Sequence, residues 1–194
     1  MAAPVLLVVL SAGCAAGQDW DRDPVARWIN QHSLVLIGAT GAVMLLSAEE
    51  ETADAGKRAL DAAAGSAATS AVLKAMVDAS RPREPTADDG FPSAHTAVAF
   101  GFARALTDWQ PDARPAFYGF ASAVGWARVE GGYHDVDQVL AGAALGLFVA
   151  DRSLDSGGLL LHSSDRPGRC PLAGEADSGG GSRGLKWNLW STVW

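Results

Sequence analysis

Three short clusters between Lys74 and Gln138 hold side chains able to bind and transfer a phosphoryl group: Lys74…Arg81-Pro82, Pro92-Ser93-Ala94-His95 and Arg128…His134. Arg and Lys can neutralise the equatorial oxygens of a tetrahedral oxyanion, one imidazole can attack phosphorus, and the other can protonate the leaving oxygen. This inventory requires no metal and no other cofactor. Clustered carboxylates or Cys/His ligands at metal spacing are absent from the sequence.

The elements that must carry these groups are helices. Lys74 and Arg81 are seven residues apart, which on a helix puts them two turns apart and within roughly 20° of one face. That helix is expected over Asp54 to Ser80, Ala-rich, with Lys57, Arg58 and Asp61 at exposed positions, and stopped by Arg81-Pro82. Asp78, four residues after Lys74, is a candidate partner for it. Ser93 follows a turn-rich run and precedes a helical pattern that lasts to Leu106, so it is expected at the N-cap. The free amides near Ser93, Ala94 and His95 then face outward at the positive end of a helix dipole, a ready oxyanion site. A further helix is expected over Pro115 to Arg128, its aromatics Phe117, Tyr118, Phe120 and Trp126 in the core. Gly131-Gly132 make a turn, and a last helix runs from Asp135 to Asp151, where Gly142 and Gly146 allow close packing.

At these residues the chain resembles the type 2 phosphatidic acid phosphatase and vanadium haloperoxidase superfamily, whose pattern is Lys-x6-Arg-Pro, then Pro-Ser-Gly-His, then Ser-Arg-x5-His-x3-Asp. Lys74, Arg81, Pro82, Ser93, His95, Arg128 and His134 match in order, and the resemblance spans roughly residues 56 to 151. It implies His134 as nucleophile and His95 as proton donor and later base. It implies Lys74, Arg81, Ser93, Ala94 and Arg128 as the phosphate-binding set. Three positions depart from the pattern: glycine becomes Ala94, serine becomes Ala127, and the aspartate that would orient the nucleophilic imidazole becomes Gln138. Gln138 can accept an imidazole N–H but carries no charge. Asp137 and Asp135 are alternative orienting residues, although an offset of one residue turns a helical side chain by about 100°.

The expected fold is all-α, a bundle of about five or six helices in one domain over 18–154. A flexible Gly/Ser-rich C-terminal extension over 155–194 ends in an alternating, Trp-rich stretch that fits a β-strand or extended arm. Residues 1–17 pair an apolar run with small residues, as an export signal does, and Leu10-Ser11-Ala12-Gly13-Cys14 also resembles a lipoprotein cleavage site. Both point to the periplasm or cell envelope. Cys14 and Cys170 bracket the domain and admit one disulfide. The apolar stretch Leu34 to Ala48 is shorter than the roughly 20 residues a span needs and is expected as a buried core helix, with a tilted membrane span as the alternative. His32 and His162 have no motif around them and are expected in surface or capping roles.

A formal charge of −7 argues against a general nucleic-acid surface, because phosphate backbones need excess Lys and Arg. The reading is a metal-independent phosphatase acting on a phosphate ester, lipid or small and soluble, through a phosphohistidine, with membrane association open. A vanadate-dependent haloperoxidase and a non-catalytic envelope phosphate-binding protein are the alternatives. Little chain is left for a halide pocket in the first case, and Ala94, Ala127 and Gln138 keep the second open.

Overall fold

The computed structural model describes residues 23–161. The export and lipoprotein readings of 1–17, Cys14, Cys170, His162 and the Trp-rich tail lie outside the described residues.

Five α-helices and one short 3₁₀ turn make up the described chain: α1 Pro24–Leu45, α2 Glu50–Lys74, α3 Ala94–Trp109, the turn Pro111–Ala113, α4 Arg114–Glu130 and α5 Val136–Ser156. This is the all-α bundle expected, with no strand among the described residues. α1 starts where Pro24 occupies the first turn and the Asp23 carboxylate accepts the amides of Val25 and Ala26 at 2.7 and 3.0 Å. α5 starts with a capping box, in which Asp135 and Gln138 each satisfy the other's backbone.

α3 is the central helix and touches each of the other four. Its Val98, Phe102 and Leu106 are buried against Ile37 and Met44 of α1, Ala55, Ala59 and Ala62 of α2, and Val124 of α4. Alanine-rich faces let the helix axes approach closely, so much of the core is backbone packed on methyl groups. Gly142 and Gly146 carry this furthest, as expected: a Cβ on Gly142 would meet the Ser93 carbonyl oxygen at 2.5 Å, and one on Gly146 would collide with the Ala97 carbonyl.

Four expectations are corrected. α2 ends at Lys74 and does not reach Ser80, so Lys74 and Arg81 are not on one helix. Asp61 is fully buried, not exposed: its carboxylate accepts Ser153 Oγ at 2.5 Å and the amides of Leu159, Leu160 and Leu161 at 2.7, 2.6 and 2.6 Å. Burial alone would raise this carboxyl's pKa, but those donors outweigh it and hold it below the usual range. Phe120 is exposed, and Phe117 and Tyr118 are half-buried at the edge of the core. α1 is not a buried helix either. Ile37 and Met44 face inward, while Val35 and Val43 are 67% and 72% exposed. None of the described helices is long and apolar enough to cross a membrane.

Candidate active site

The ends of α2 and α4 and the starts of α3 and α5 meet at one end of the bundle, and each brings one part of the site. α4 stops at Gly131, and Gly132 takes φ 66°, a left-handed turn that costs glycine little. The chain doubles back so that the amides of Tyr133 and His134 both donate to the Arg128 carbonyl, at 3.0 and 3.2 Å. This hairpin of backbone brings His134 beside the helix turn that carries Arg128. Both side chains are buried, at 3% and 7% exposure.

From the other side, the loop after α2 folds onto itself through a two-residue parallel bridge between Ala79 and Asp89. Ala79 N donates to Asp88 O at 3.1 Å and Gly90 N to Ala79 O at 2.7 Å. Lys74 Nζ donates to the Asp89 backbone carbonyl, and Arg81 Nη2 pairs with the Asp89 carboxylate. The loop thus gathers by tertiary pairing the two cations that a continuous helix was expected to align. Lys74 reaches Asp89 and not Asp78, which is exposed.

His134 Nδ1 lies 2.8 Å from Gly90 O and 3.0 Å from Gln138 Oε1. A backbone carbonyl only accepts, so Nδ1 carries the proton and the neutral ring leaves Nε2 with a free lone pair. The Gln138 amide has one consistent orientation. Its Nε2 donates to Ser80 O at 3.0 Å, while Oε1 accepts from His134 and from Asp135 N. Of the orienting candidates, Gln138 is the one in contact with His134. Asp137 is exposed and Asp135 caps α5, so neither takes that role. Gly90 has no room for a side chain, since a Cβ would meet Ala79 O at 2.8 Å and Gln138 Nε2 at 2.9 Å.

Ser93 caps α3 as expected, but its hydroxyl pairs with Thr96 Oγ1 at 2.9 Å and its amide with Gln138 O at 3.0 Å. The next amides, of Ala94 and His95, are left for a ligand at the helix N-terminus. Arg81 and Arg128 each keep a buried Nε–H with no acceptor, an unpaired donor that an oxyanion would satisfy. Asn30 of α1, Tyr133, Asp89 and the Gly90 carbonyl all belong to this site and carry no spacing signal in the sequence. Asp89 and Gly90 could be read only as turn residues. Among the described residues no group of three or more His, Cys, Asp or Glu is placed to hold a metal ion.

The electrostatics favour an anion. Burial first, then Arg128 and the other cations, push His95 and His134 each down to about 4; Gln138 and Gly90 pull His134 only partly back. Burial pushes Arg128 down to about 10, leaving it charged at neutral pH. Burial also lowers Lys74, with Asp89 opposing.

Both imidazoles hold folded values below the roughly 6.5 of a free histidine, so as pH falls the unfolded chain takes up protons first. Stability present above pH 6.5 is therefore expected to decline progressively towards pH 4. Thermal unfolding measured between pH 7 and pH 4.5 checks this; His95→Gln and His134→Gln should flatten the decline, and added phosphate should oppose it. A melting temperature independent of pH over that range would contradict the assignment.

A helical bundle whose one end joins three cations, a helix N-terminus and two imidazoles defines a class of protein built to handle a tetrahedral oxyanion. The family model described as the PAP2 superfamily matches residues 57–153, half of the chain, and the chain belongs to that superfamily. Membership supports phosphatase-type, phosphoester-hydrolase activity at the level of the superfamily. Comparison with curated proteins and with solved structures gives no match.

Proposed function

We propose that the chain hydrolyses phosphomonoesters through a phosphohistidine on His134, without a metal. The observation that carries this reading is the pair of acceptors on His134 Nδ1, which leave Nε2 unprotonated beside Arg128. In the first step Nε2 attacks phosphorus and the ester P–O bond breaks. The leaving oxygen takes the electron pair and a proton from His95, giving the free alcohol. In the second step neutral His95 takes a proton from water, the oxygen attacks phosphorus, and the P–N bond returns its pair to Nε2. Lys74, Arg81, Arg128 and the amides of Ala94 and His95 hold the phosphoryl oxygens throughout. His95 is neutral at pH 7 in the free site, and the bound dianion supplies the countercharge that favours its protonated form.

The substrate is a lipid phosphate or a small soluble ester, and exposed apolar side chains close to Lys74 and Gln138 in the chain favour the lipid. Val72, Met76 and Val77 flank Lys74 in the chain and are exposed, as is Leu140 just after Gln138. The apolar run with small residues in 1–17 supports an export reading, on which this activity lies in the cell envelope.

The test measures phosphate release from a lipid phosphate in mixed micelles and from a soluble monoester, both in chelator, with orthovanadate as inhibitor. Release in chelator, blocked by vanadate, is expected. No release from either ester, or halide oxidation by the vanadate-loaded protein exceeding hydrolysis, would overturn the proposal.

A further inference from the structure

α1 lies outside the matched residues 57–153, yet it reaches into the site through one side chain. Asn30 Nδ2 donates to the Ala127 carbonyl at 2.8 Å, and Asn30 Oδ1 accepts from Arg128 Nη1 at 3.3 Å. A carbonyl on one side and a guanidinium on the other fix which way the amide points. One face of the Arg128 guanidinium is covered by the Tyr133 ring, whose centroid is 4.1 Å from the guanidinium carbon. No slack separates these groups: a Cβ on Gly131 would meet Asn30 Nδ2 at 2.8 Å and the Tyr133 ring at 2.7 Å.

What this grip leaves free is the informative part. An arginine presents a side-on edge made of Nε–H and one Nη2–H, which matches two oxygens of a phosphate, while Nη1 lies at the other end of the plane. Asn30 takes Nη1, and the buried Nε–H has no acceptor. The side-on edge is therefore unspent, and the two groups that hold the guanidinium act on its far end and its face.

We propose that Asn30 is a positioning residue that turns the Nε/Nη2 edge of Arg128 towards the phosphoryl oxygens, so that α1 contributes to anion binding as well as to the core. The inference rests on the reading that Arg128 binds those oxygens. Asn30 also ties α1 to the last turn of α4 through Ala127, so the test must separate aiming Arg128 from anchoring the helix.

The experiment is a double-mutant cycle on inorganic phosphate affinity, read by calorimetry, over wild type, Asn30→Ala, Arg128→Lys and the double variant, with melting temperatures recorded for all four. Ser33→Ala serves as control, because Ser33 is a buried α1 residue that takes no part in holding Arg128. Asn30→Ala is expected to weaken phosphate binding about tenfold, as loss of a hydrogen bond to a charged group would. Added to Arg128→Lys it should cost almost nothing more, and Ser33→Ala should leave affinity unchanged. If Asn30→Ala does not fold, Asn30→Leu fills similar space without either polar group and takes its place. Additive losses in the cycle, or a lowered melting temperature with unchanged affinity, would reduce Asn30 to an anchor and overturn the proposal. Failure of the wild-type protein to bind phosphate would overturn this inference and the phosphatase reading together. Weakening by Arg128→Lys but not by Asn30→Ala would overturn this inference alone.

Discussion

His134→Ala is expected to abolish turnover and acid-labile phosphate labelling together, whatever ester is offered, because no other group in the site presents a bare nitrogen held in place by two acceptors. His95→Ala should behave differently. It removes proton transfer, a contribution of roughly 10²–10⁴-fold to rate, while the nucleophile and the cations remain. An aryl phosphate whose leaving group needs little protonation should therefore rescue His95→Ala in part and leave His134→Ala inactive. Rapid acid quench of the His95 variant should also trap more phosphate on the protein, since hydrolysis of the intermediate has lost its base. Phosphate affinity of both variants, measured by calorimetry, separates a missing catalytic group from a collapsed pocket. Equal rescue of both, or labelling that persists in His134→Ala, would remove His134 from its role.

Asp61→Ala is expected to cost about 2–4 kcal/mol of folding stability, a large effect for one substitution. Deleting the carboxylate strands the buried Ser153 hydroxyl and three amides at once. Leu159, Leu160 and Leu161 are partly exposed, so water can recover some of those amides, which keeps the figure below the sum of four lost bonds. Asp61→Asn should recover part of this, because its one oxygen can still accept two amides while its N–H₂ would face the amide of Leu159. Asp61 is thirteen residues before Lys74, about 20 Å along α2, so phosphate affinity below the melting transition should not change. Urea unfolding gives the comparison; an unfolding free energy within about 1 kcal/mol of wild type would show that the clamp contributes little.

How much of this was legible beforehand depended on whether the signal was local. The helical character of each segment, the Ser93 cap and the Gly131-Gly132 turn are local signals, and these features are found as the sequence implied, although α2 ends at Lys74. Lys74 and Arg81 converge as the motif implies, yet by another route. Seven-residue spacing was read as helix, whereas pairing of Ala79 with Asp88, Asp89 and Gly90 offers the backbone after Lys74 a competing set of hydrogen bonds. Asp61 was read as a surface charge because an Ala-rich helix has no pattern to say otherwise; its partners come from residues 153–161. Asn30 could not be found at all, since its role is set by a contact 98 residues away. Of the candidate orienting residues, left open between Gln138, Asp137 and Asp135, Gln138 is the one whose side chain contacts His134.

The contact of Gly142 with the Ser93 carbonyl has a further consequence. Gly142 lies on the helix that begins at His134's own loop, and Ser93 caps the helix whose first amides lie at the same end of the bundle, so the width of the gap between them is a distance between two main chains. No side chain acts as a spacer there. Core residues deeper in the bundle can therefore be exchanged, with gains or losses in melting temperature, without opening or closing that gap. Even a methyl group at position 142 would wedge the two helices apart at the mouth, where misplacement of about 1 Å can cost a hundredfold in rate. In this fold, robustness to heat and accuracy of the reacting geometry are written in different parts of the chain and can drift independently.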